Sequence, residues 1–220
     1  MFDKINEKFS IKNIAILTSP NQWFIPYANK LSEKIAGSMV FDDHTKIGKE
    51  FDIVFMLSYH RIVDKKYLNM HNHNIVIHAS DLPQGKGWSP MFWQVLDGKK
   101  DIVFTMFEAS TNIDDGDIYM KKTLNLIGNE LNKELRMLEA DIVIDMCLEF
   151  IGSYENIVDN KIIQSGKESF YKRRTPNDSV LNVNRTIAEQ FNLFRIVDNE
   201  EYPAYFEYHG KKYILKIFES

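Results

Sequence analysis

Residues 74–90 read NIVIHASDLPQGKGWSP, and this stretch decides how the rest of the chain is interpreted. Its first part, residues 75–79, is a short apolar run of the kind that forms a buried parallel strand. The part that follows is rich in proline and glycine, which predicts a loop directly after the strand. His78 therefore falls at the carboxyl end of a strand, where open α/β sheets bind their ligands.

Short apolar runs recur on both sides of this stretch and alternate with helical patterns. Further strands are predicted at residues 13–18, 39–41, 53–57, 103–108 and 118–122, with a polar turn at 110–117. One helix carries Phe24, Ala28, Leu31 and Ile35 at helical spacing, and a long helix over about 129–151 has a stripe of Leu131, Leu135, Leu138, Ile142 and Met146. This order predicts an α/β fold with a mainly parallel sheet that is flanked by helices on both faces.

The last part of the chain predicts a small appendage. Residues 153–184 are mostly polar and without periodicity, so we expect irregular structure there. A helix begins near the capping-box pair Thr186 and Glu189, and residues 202–208 and 212–218 predict a hairpin that turns at Gly210. We therefore expect a catalytic domain over 1–170 and a C-terminal appendage over 171–220, packed on or beside the core.

Charge and composition exclude several classes of function. The formal net charge of −4 argues against a protein that binds nucleic acid through a general positive field. The single cysteine, Cys147, lies on an apolar helical pattern, which favours a structural role and a reducing compartment. The N-terminus has mixed charges and no secretory signal, and no apolar run approaches the length of a membrane span. The sequence predicts a cytoplasmic protein without a membrane partner.

Two acidic or basic clusters are candidates for chemistry. Asp114, Asp115 and Asp117 lie in the predicted turn between two strands, and a carboxylate placed beside His78 would stabilise its protonated form or collect a proton. The alternatives are a structural histidine and a solvated acidic turn. His71 and His73 have no carboxylate or cysteine partner at ligand spacing, which favours a loop over a metal site. The remaining histidines, His44, His60 and His209, are isolated, and we assign them no chemistry.

The ordered motifs of the chain resemble those of the folate-dependent formyltransferases. The run from His78 to Gly87 has the pattern His-Ala-Ser-x-Leu-Pro-x-x-x-Gly, and residues 113–118 form an Ile-Asp-x-Gly-Asp-Ile turn. Residues 58–63 and 173–179 also resemble segments of this family, so that the resemblance covers most of the chain from residue 50 onward. It implies a Rossmann-like core, transfer of a formyl group from N10-formyltetrahydrofolate, and no metal.

The resemblance also implies a role for individual residues. It makes His78 and Asp114 catalytic, with Asp115 and Asp117 shaping the turn. The family has an asparagine two residues before the histidine, where this chain has Val76, and we expect Asn74 to act in its place although it lies about 6.6 Å further back on an extended strand. Cofactor-binding positions are Arg61, Ile62, Val63, Ser110, Thr111 and Ile113, and substrate-binding positions are Ser80, Lys86, Gly87 and Trp23. Trp23 is equally compatible with a place in the core.

The choice of acceptor rests on resemblance and elimination. About 50 residues follow Tyr171 and the charge is acidic, which disfavours tRNA, and the loop over 18–23 has no glycine to hold the phosphate of glycinamide ribonucleotide. The expected acceptor is a nucleotide-linked amino sugar of the 4-amino-4,6-dideoxy type or a related diamino sugar, used in glycan biosynthesis. A catalytically silent folate- or nucleotide-binding module and a formyltetrahydrofolate hydrolase are the alternatives. The sequence does not define the oligomeric state, and a homodimer is one option.

Overall fold

The computed structural model describes residues 13–220 of the chain, and the mixed-charge N-terminal segment 1–12 lies outside these described residues. Within residues 13–220, ten strands and six α-helices follow one another. The strands are β1 (Ile14–Leu17), β2 (Met39–Phe41), β3 (Ile53–Met56), β4 (His73–His78), β5 (Lys86–Gly87), β6 (Asp101–Glu108), β7 (Ile118–Asn125), β8 (Phe170–Tyr171), β9 (Ala204–Tyr208) and β10 (Lys211–Leu215). The helices are α1 (Ile25–Ser32), α2 (Lys65–Leu68), α3 (Pro90–Leu96), α4 (Asn132–Gly152), α5 (Tyr154–Asp159) and α6 (Phe191–Ile196).

The central sheet has six strands in the order β2-β1-β3-β4-β6-β7. The first four strands are parallel to one another, while β4 and β6 and then β6 and β7 pair antiparallel. The prediction of a mainly parallel sheet flanked by helices is confirmed. β4 begins two residues earlier than predicted, at His73, and ends at His78.

Both faces of the sheet are covered, which explains why the central strands β1 and β3 are apolar and buried in every position rather than alternating. On one face, Ile16, Phe55 and Ile75 pack against α1 and the long helix α4. On the other face, Leu17 and Met56 pack with Tyr67 of α2. The sheet is therefore a rigid platform whose strand ends carry the loops that form the site.

The long helix α4 packs through a face that differs from the predicted stripe. Leu135 and Met146 are buried as predicted, whereas Leu138 and Ile142 are only partly buried. The buried face continues through Cys147 to Phe150, and burial raises the pKa of the Cys147 thiol. Within residues 13–220, no helix is long and apolar enough to cross a membrane.

The C-terminal elements join the same core. The stretch predicted to be mostly irregular contains α5, the short strand β8 and a 3-10 helix at Pro176–Ser179. The predicted capping box is present, since Thr186 and Glu189 exchange backbone-to-side-chain hydrogen bonds at 2.8 and 3.3 Å. The predicted hairpin forms from β9 and β10. Leu193 and Ile196 of α6 belong to the same apolar cluster as the central sheet. The division of the chain at residue 170 remains a prediction.

Candidate active site

His78 is the last residue of β4, so the rigid strand determines where its imidazole lies. The residue is 9% exposed, and its Nε2 lies 2.8 Å from the carbonyl oxygen of Gly85. Because a carbonyl oxygen only accepts, Nε2 carries the proton in this bond. No described residue forms a hydrogen bond to Nδ1, which leaves the second ring nitrogen free for a ligand.

The acidic turn between β6 and β7 brings Asp114 to this histidine. Oδ2 of Asp114 lies 3.7 Å from Nε2 of His78 and accepts a hydrogen bond of 2.8 Å from the backbone N–H of Gly87. Asp114 has a φ of 48°, a left-handed conformation that aspartate and asparagine tolerate better than most residues. The structure thus brings together two of the three residues to which the sequence assigned catalysis, His78 and Asp114.

The neighbours of Asp114 hold the turn in shape. Gly116 approaches β6 so closely that a Cβ built on it would lie 1.6 Å from the carbonyl oxygen of Glu108. Asp115 pairs with Lys86, and Asp117 pairs with Lys161. A hydrogen bond from Asn112, together with Lys86, lowers the pKa of Asp115. Asp115 and Asp117 are therefore engaged in contacts that stabilise the turn.

Asn74 does not reach the site. It lies at the start of β4, four residues before His78, and is 1% exposed. Its Nδ2 donates to the carbonyl oxygen of Leu68 at 2.8 Å, so its amide supports the turn before the strand. β4 continues to His78 and the Asn74 amide bonds to Leu68, so the structure does not place Asn74 where it could act in place of the family asparagine. Val76 occupies that position and lines a cavity beside His78.

The first of two cavities that meet at His78 has a volume of about 400 Å³, and we call it the Ile62 cavity. Its floor is apolar, with Met56, Val76 and Phe107. All six residues that the sequence assigned to the cofactor line this one cavity: Arg61, Ile62, Val63, Ser110, Thr111 and Ile113. Ile62 is 82% exposed, which is unusual for a large apolar side chain and marks a surface that a ligand would cover.

The second cavity has a volume of about 250 Å³, and we call it the Trp23 cavity. Trp23 lies in its wall and also packs against Phe24 of the core, with ring centroids 5.2 Å apart. Trp23 therefore both contacts the core and lines a cavity, the two environments that its sequence position allowed. His78 and Gly87 line both cavities, so the histidine lies where a ligand in one would meet a ligand in the other.

Two other residues assigned to the substrate do not line these cavities. Ser80 is 2% exposed, and its carbonyl accepts a hydrogen bond from Thr105. Lys86 is also 2% exposed, and its Nζ donates to Glu168 at 2.6 Å and to Asp115 at 3.2 Å. The backbone carbonyl of Ser80 and the side chain of Lys86 thus take part in hydrogen bonds that hold the loops around the site.

Four residues of the cavity walls carried no functional assignment in the sequence. His60 and Trp88 line both cavities, with ring centroids 6.5 Å apart, and Arg136 and Glu139 of α4 line the Trp23 cavity. The spacing of Arg136 and Glu139 places them one turn apart on a helix, but the same spacing is common on solvated helix faces. The sequence pattern of Arg136 and Glu139 therefore does not distinguish a cavity wall from a solvated helix face.

The remaining histidine candidates have partners of their own. Nδ1 of His71 lies 2.9 Å from the carbonyl oxygen of Phe51, and His73 contacts Glu108 and Tyr119. Within the described part of the chain, no group of three or more histidine, cysteine, aspartate or glutamate side chains is arranged to hold a metal ion.

Comparison with known proteins identifies the domain that carries this site. The formyl transferase family matches residues 41–146, a range that contains His78, Asp114 and most of the central sheet. Methionyl-tRNA formyltransferase from Clostridium beijerinckii is 26% identical over 178 residues, which cover 77% of this chain and 54% of that protein. The chain therefore spans about half the length of this relative.

Solved structures of low sequence identity share the fold. A 4-N formyltransferase from Francisella tularensis superimposes with a TM-score of 0.69 at 17% identity, covering 94% of this chain and 97% of that one. HypX from Aquifex aeolicus, in complex with tetrahydrofolic acid, has a TM-score of 0.75 at 16% identity, covering 93% of this chain and 37% of that one. Residues 41–146 of this chain thus match the formyl transferase family, and this range contains the paired His78 and Asp114.

Proposed function

We propose that this protein transfers a formyl group from N10-formyltetrahydrofolate to the amino group of a small acceptor. The observation that carries the proposal is the placement of His78 and Asp114, 3.7 Å apart, at the junction of two cavities. A transfer reaction needs a donor site and an acceptor site that meet at the reacting groups. One cavity on each side of His78 fits that requirement.

The Ile62 cavity suits the folate donor. A pterin ring is flat, and the floor of Met56, Val76 and Phe107 offers an apolar surface to one of its faces. Ser110 and Thr111 add polar groups at the rim, and the family resemblance assigns the same segments to the cofactor. HypX, which shares the fold, binds tetrahydrofolic acid. The donor supplies an activated formyl carbon to the junction.

The residues at the junction have complementary tasks. Attack by an amine leaves negative charge on the formyl oxygen, and a protonated His78 can donate from Nδ1 because Nε2 is engaged by Gly85. The amine nitrogen becomes positively charged in the same step, and Asp114 accepts its excess proton through water. The Gly87 N–H keeps the Asp114 carboxylate oriented toward the histidine. Collapse of the intermediate breaks the bond to N10, and N10 takes up the proton that the amine has lost, which releases tetrahydrofolate and the formamide.

For the acceptor we propose a nucleotide-linked amino sugar, such as a 4-amino-4,6-dideoxyhexose, for the synthesis of glycans. The net charge of −4 is unfavourable for tRNA. The Trp23 cavity is compact and has tryptophan, histidine and charged side chains in its wall, which suits a small polar molecule with a flat group. The 4-N formyltransferase that shares the fold supports the same class. We propose that the reaction takes place in the cytoplasm. The oligomeric state to test is a homodimer.

The experiment is to mix the protein with N10-formyltetrahydrofolate and a panel of nucleotide-linked amino sugars and to follow release of tetrahydrofolate. We expect release that depends on the added amine and is lost in His78→Ala. The formylated sugar should be found by mass spectrometry in the same mixture. Release that is equal with and without amine would contradict the proposal and identify a hydrolase.

Val76 favours one alternative, a module that binds folate without catalysis. The side chain at the family asparagine position is apolar, and Asn74 is held by Leu68 instead. Loss of one oxyanion donor typically reduces turnover by about 100- to 1,000-fold. Binding of tetrahydrofolate without turnover on any amine of the panel would support this alternative.

A further inference from the structure

Arg136 and Glu139 line the Trp23 cavity but have no part in the chemistry at His78. They lie one turn apart on α4, with Nη1 of Arg136 3.1 Å from Oε2 of Glu139. Their side chains are 28% and 18% exposed. A salt bridge on a solvated helix face contributes little to stability. A charged pair in a cavity wall carries a desolvation cost, which favours a functional role for the pair.

Arg136 is held by two aromatic rings. Its guanidinium carbon lies 4.3 Å from the ring centroid of Trp23 and 4.2 Å from that of Phe92. Such contacts on both sides limit the rotation of the planar guanidinium. Because the same guanidinium donates to Glu139, the rings also determine where the carboxylate lies. Arg136 is therefore a positioning residue for Glu139.

Glu139 has unused capacity to accept hydrogen bonds. Among the described residues, Arg136 alone donates to its carboxylate, and a carboxylate has about four acceptor positions. Burial raises the pKa of Glu139, while Arg136 and the charge of His78 partly offset this effect. Glu139 and His78 both line the Trp23 cavity, so a ligand in this cavity can reach the free acceptor positions of the carboxylate and the imidazole together. A second cation or donor at that point would stabilise the carboxylate.

We propose that Glu139 binds the amino group of the acceptor and selects amines over hydroxyl groups. An ammonium group offers N–H donors and a positive charge, and charge-assisted hydrogen bonds are about twice as strong as neutral ones. The bound ammonium releases one proton to water before the attack, because only the neutral amine is a nucleophile. A hydroxyl group at the same place offers one neutral donor. This inference rests on the proposed function, since it takes the Trp23 cavity as the acceptor site. It assigns amine selectivity to α4, which lies outside the histidine loop and the acidic turn.

The test compares two ligands that differ in one group. Nucleoside-diphosphate-linked 4-amino-4,6-dideoxyglucose and the corresponding 6-deoxyglucose, with a hydroxyl group at position 4, are titrated calorimetrically into the full chain with saturating tetrahydrofolate. We expect the amino ligand to bind about 10- to 100-fold more tightly, the range for a hydrogen bond to a charged group. In Glu139→Gln the ratio should fall to near one.

Two controls separate selectivity from folding. Glu139→Gln keeps the shape and an oxygen that accepts from Arg136, so its thermal melt should match that of the parent protein. Asp141→Asn removes a carboxylate on the same helix that pairs with Lys30 and is 52% exposed, and it should leave the binding ratio unchanged.

The outcomes separate this inference from the proposed function. A ratio that survives in Glu139→Gln, or no preference in the parent protein, overturns the inference even if formyl transfer occurs. A ratio that depends on Glu139 without formyl transfer supports the amine site and overturns the transferase. Binding of neither ligand overturns the inference together with the proposed class of sugar.

Discussion

The backbone N–H of Gly87 donates to Oδ2 of Asp114 at 2.8 Å and thereby ties the histidine loop to the acidic turn. The two segments lie far apart in the sequence, yet this one bond orients the carboxylate whose Oδ2 is 3.7 Å from His78. Gly87 has a φ of +97°, and a Cβ on it would lie 2.5 Å from the carbonyl oxygen of Tyr171. A glycine at this position therefore allows β5 to approach β8 while its N–H points to Asp114.

Asp114→Asn should abolish most of the activity without unfolding the protein. The amide oxygen can still accept from Gly87, and asparagine tolerates the φ of 48°. The charge and the proton acceptor are lost, so kcat should fall by about 100- to 10,000-fold. Release of tetrahydrofolate measures the rate, and a thermal melt within the error of the parent protein is the control. A variant that keeps its rate would exclude Asp114 as the proton acceptor.

Asn74→Ala should affect stability and leave kcat unchanged. The buried amide of Asn74 donates to the carbonyl of Leu68, and its removal leaves that carbonyl without this partner. The expected loss is about 1–3 kcal/mol of unfolding free energy. Urea denaturation measures the stability, and initial rates measure kcat. A large fall in kcat at unchanged stability would contradict this prediction and indicate that Asn74 takes part in catalysis.

Gly116→Ala should destabilise the protein because the new Cβ would collide with the backbone of β6. The position of that Cβ is 1.6 Å from the oxygen of Glu108, and the contact is backbone rather than a flexible side chain. We expect a loss of about 2 kcal/mol or more. Gly152→Ala is the matched control, since nothing lies within 4 Å of its added Cβ. Equal melting temperatures for the two variants would contradict this packing argument.

Ile62→Ala should weaken binding of the folate donor while stability stays constant. Ile62 is 82% exposed, so its truncation removes little from the folded core but reduces the apolar wall of the Ile62 cavity. The Kd for tetrahydrofolate should rise about tenfold. Ile163 has the same exposure of 82%, and Ile163→Ala should leave the Kd unchanged. A similar effect of both substitutions would argue against a folate site at Ile62.

Arg195→Met should destabilise the contact between α6 and the segment before α4 that contains Glu130. Arg195 is 2% exposed, and its Nη2 donates to Oε2 of Glu130 at 2.7 Å. Removing it leaves a buried carboxylate without its cation, which typically costs about 3–5 kcal/mol. Arg185→Met, at an exposed arginine nearby, is the control and should be nearly neutral.

The same pair predicts a dependence on pH. Burial alone raises the pKa of Glu130, but backbone N–H donors at Ile127 and Gly128 together with Arg195 outweigh burial and hold it below 4.5. A lowered pKa contributes stability above the unfolded value and loses it as the pH falls through the folded value. The difference in unfolding free energy between the parent protein and Arg195→Met should therefore be largest at pH 7 and decrease below about pH 4.5. A constant difference across this range would contradict the assignment.

The sequence by itself determined the sheet, the order of its elements and the two catalytic candidates. Apolar runs of strand length, helical spacing and turn residues are local signals, and local backbone preferences respond to them directly. His78 was predicted at a strand end because the run before it is apolar and the segment after it is rich in proline and glycine. The sequence assigned residues 61–63, 110, 111 and 113 to a cofactor through the family resemblance, and all six residues line one cavity.

Only the tertiary structure decided which side chains line the two cavities that meet at His78. The polar side chain of Asn74 donates to the carbonyl oxygen of Leu68, and that of Lys86 donates to Asp115 and Glu168. No local sequence pattern encodes these contacts. Arg136 and Glu139 read as an ordinary i,i+3 pair until the fold places them beside Trp23 and His78. The direction of a side chain depends on partners that are distant in sequence, because packing and buried hydrogen bonds choose it after the elements have formed.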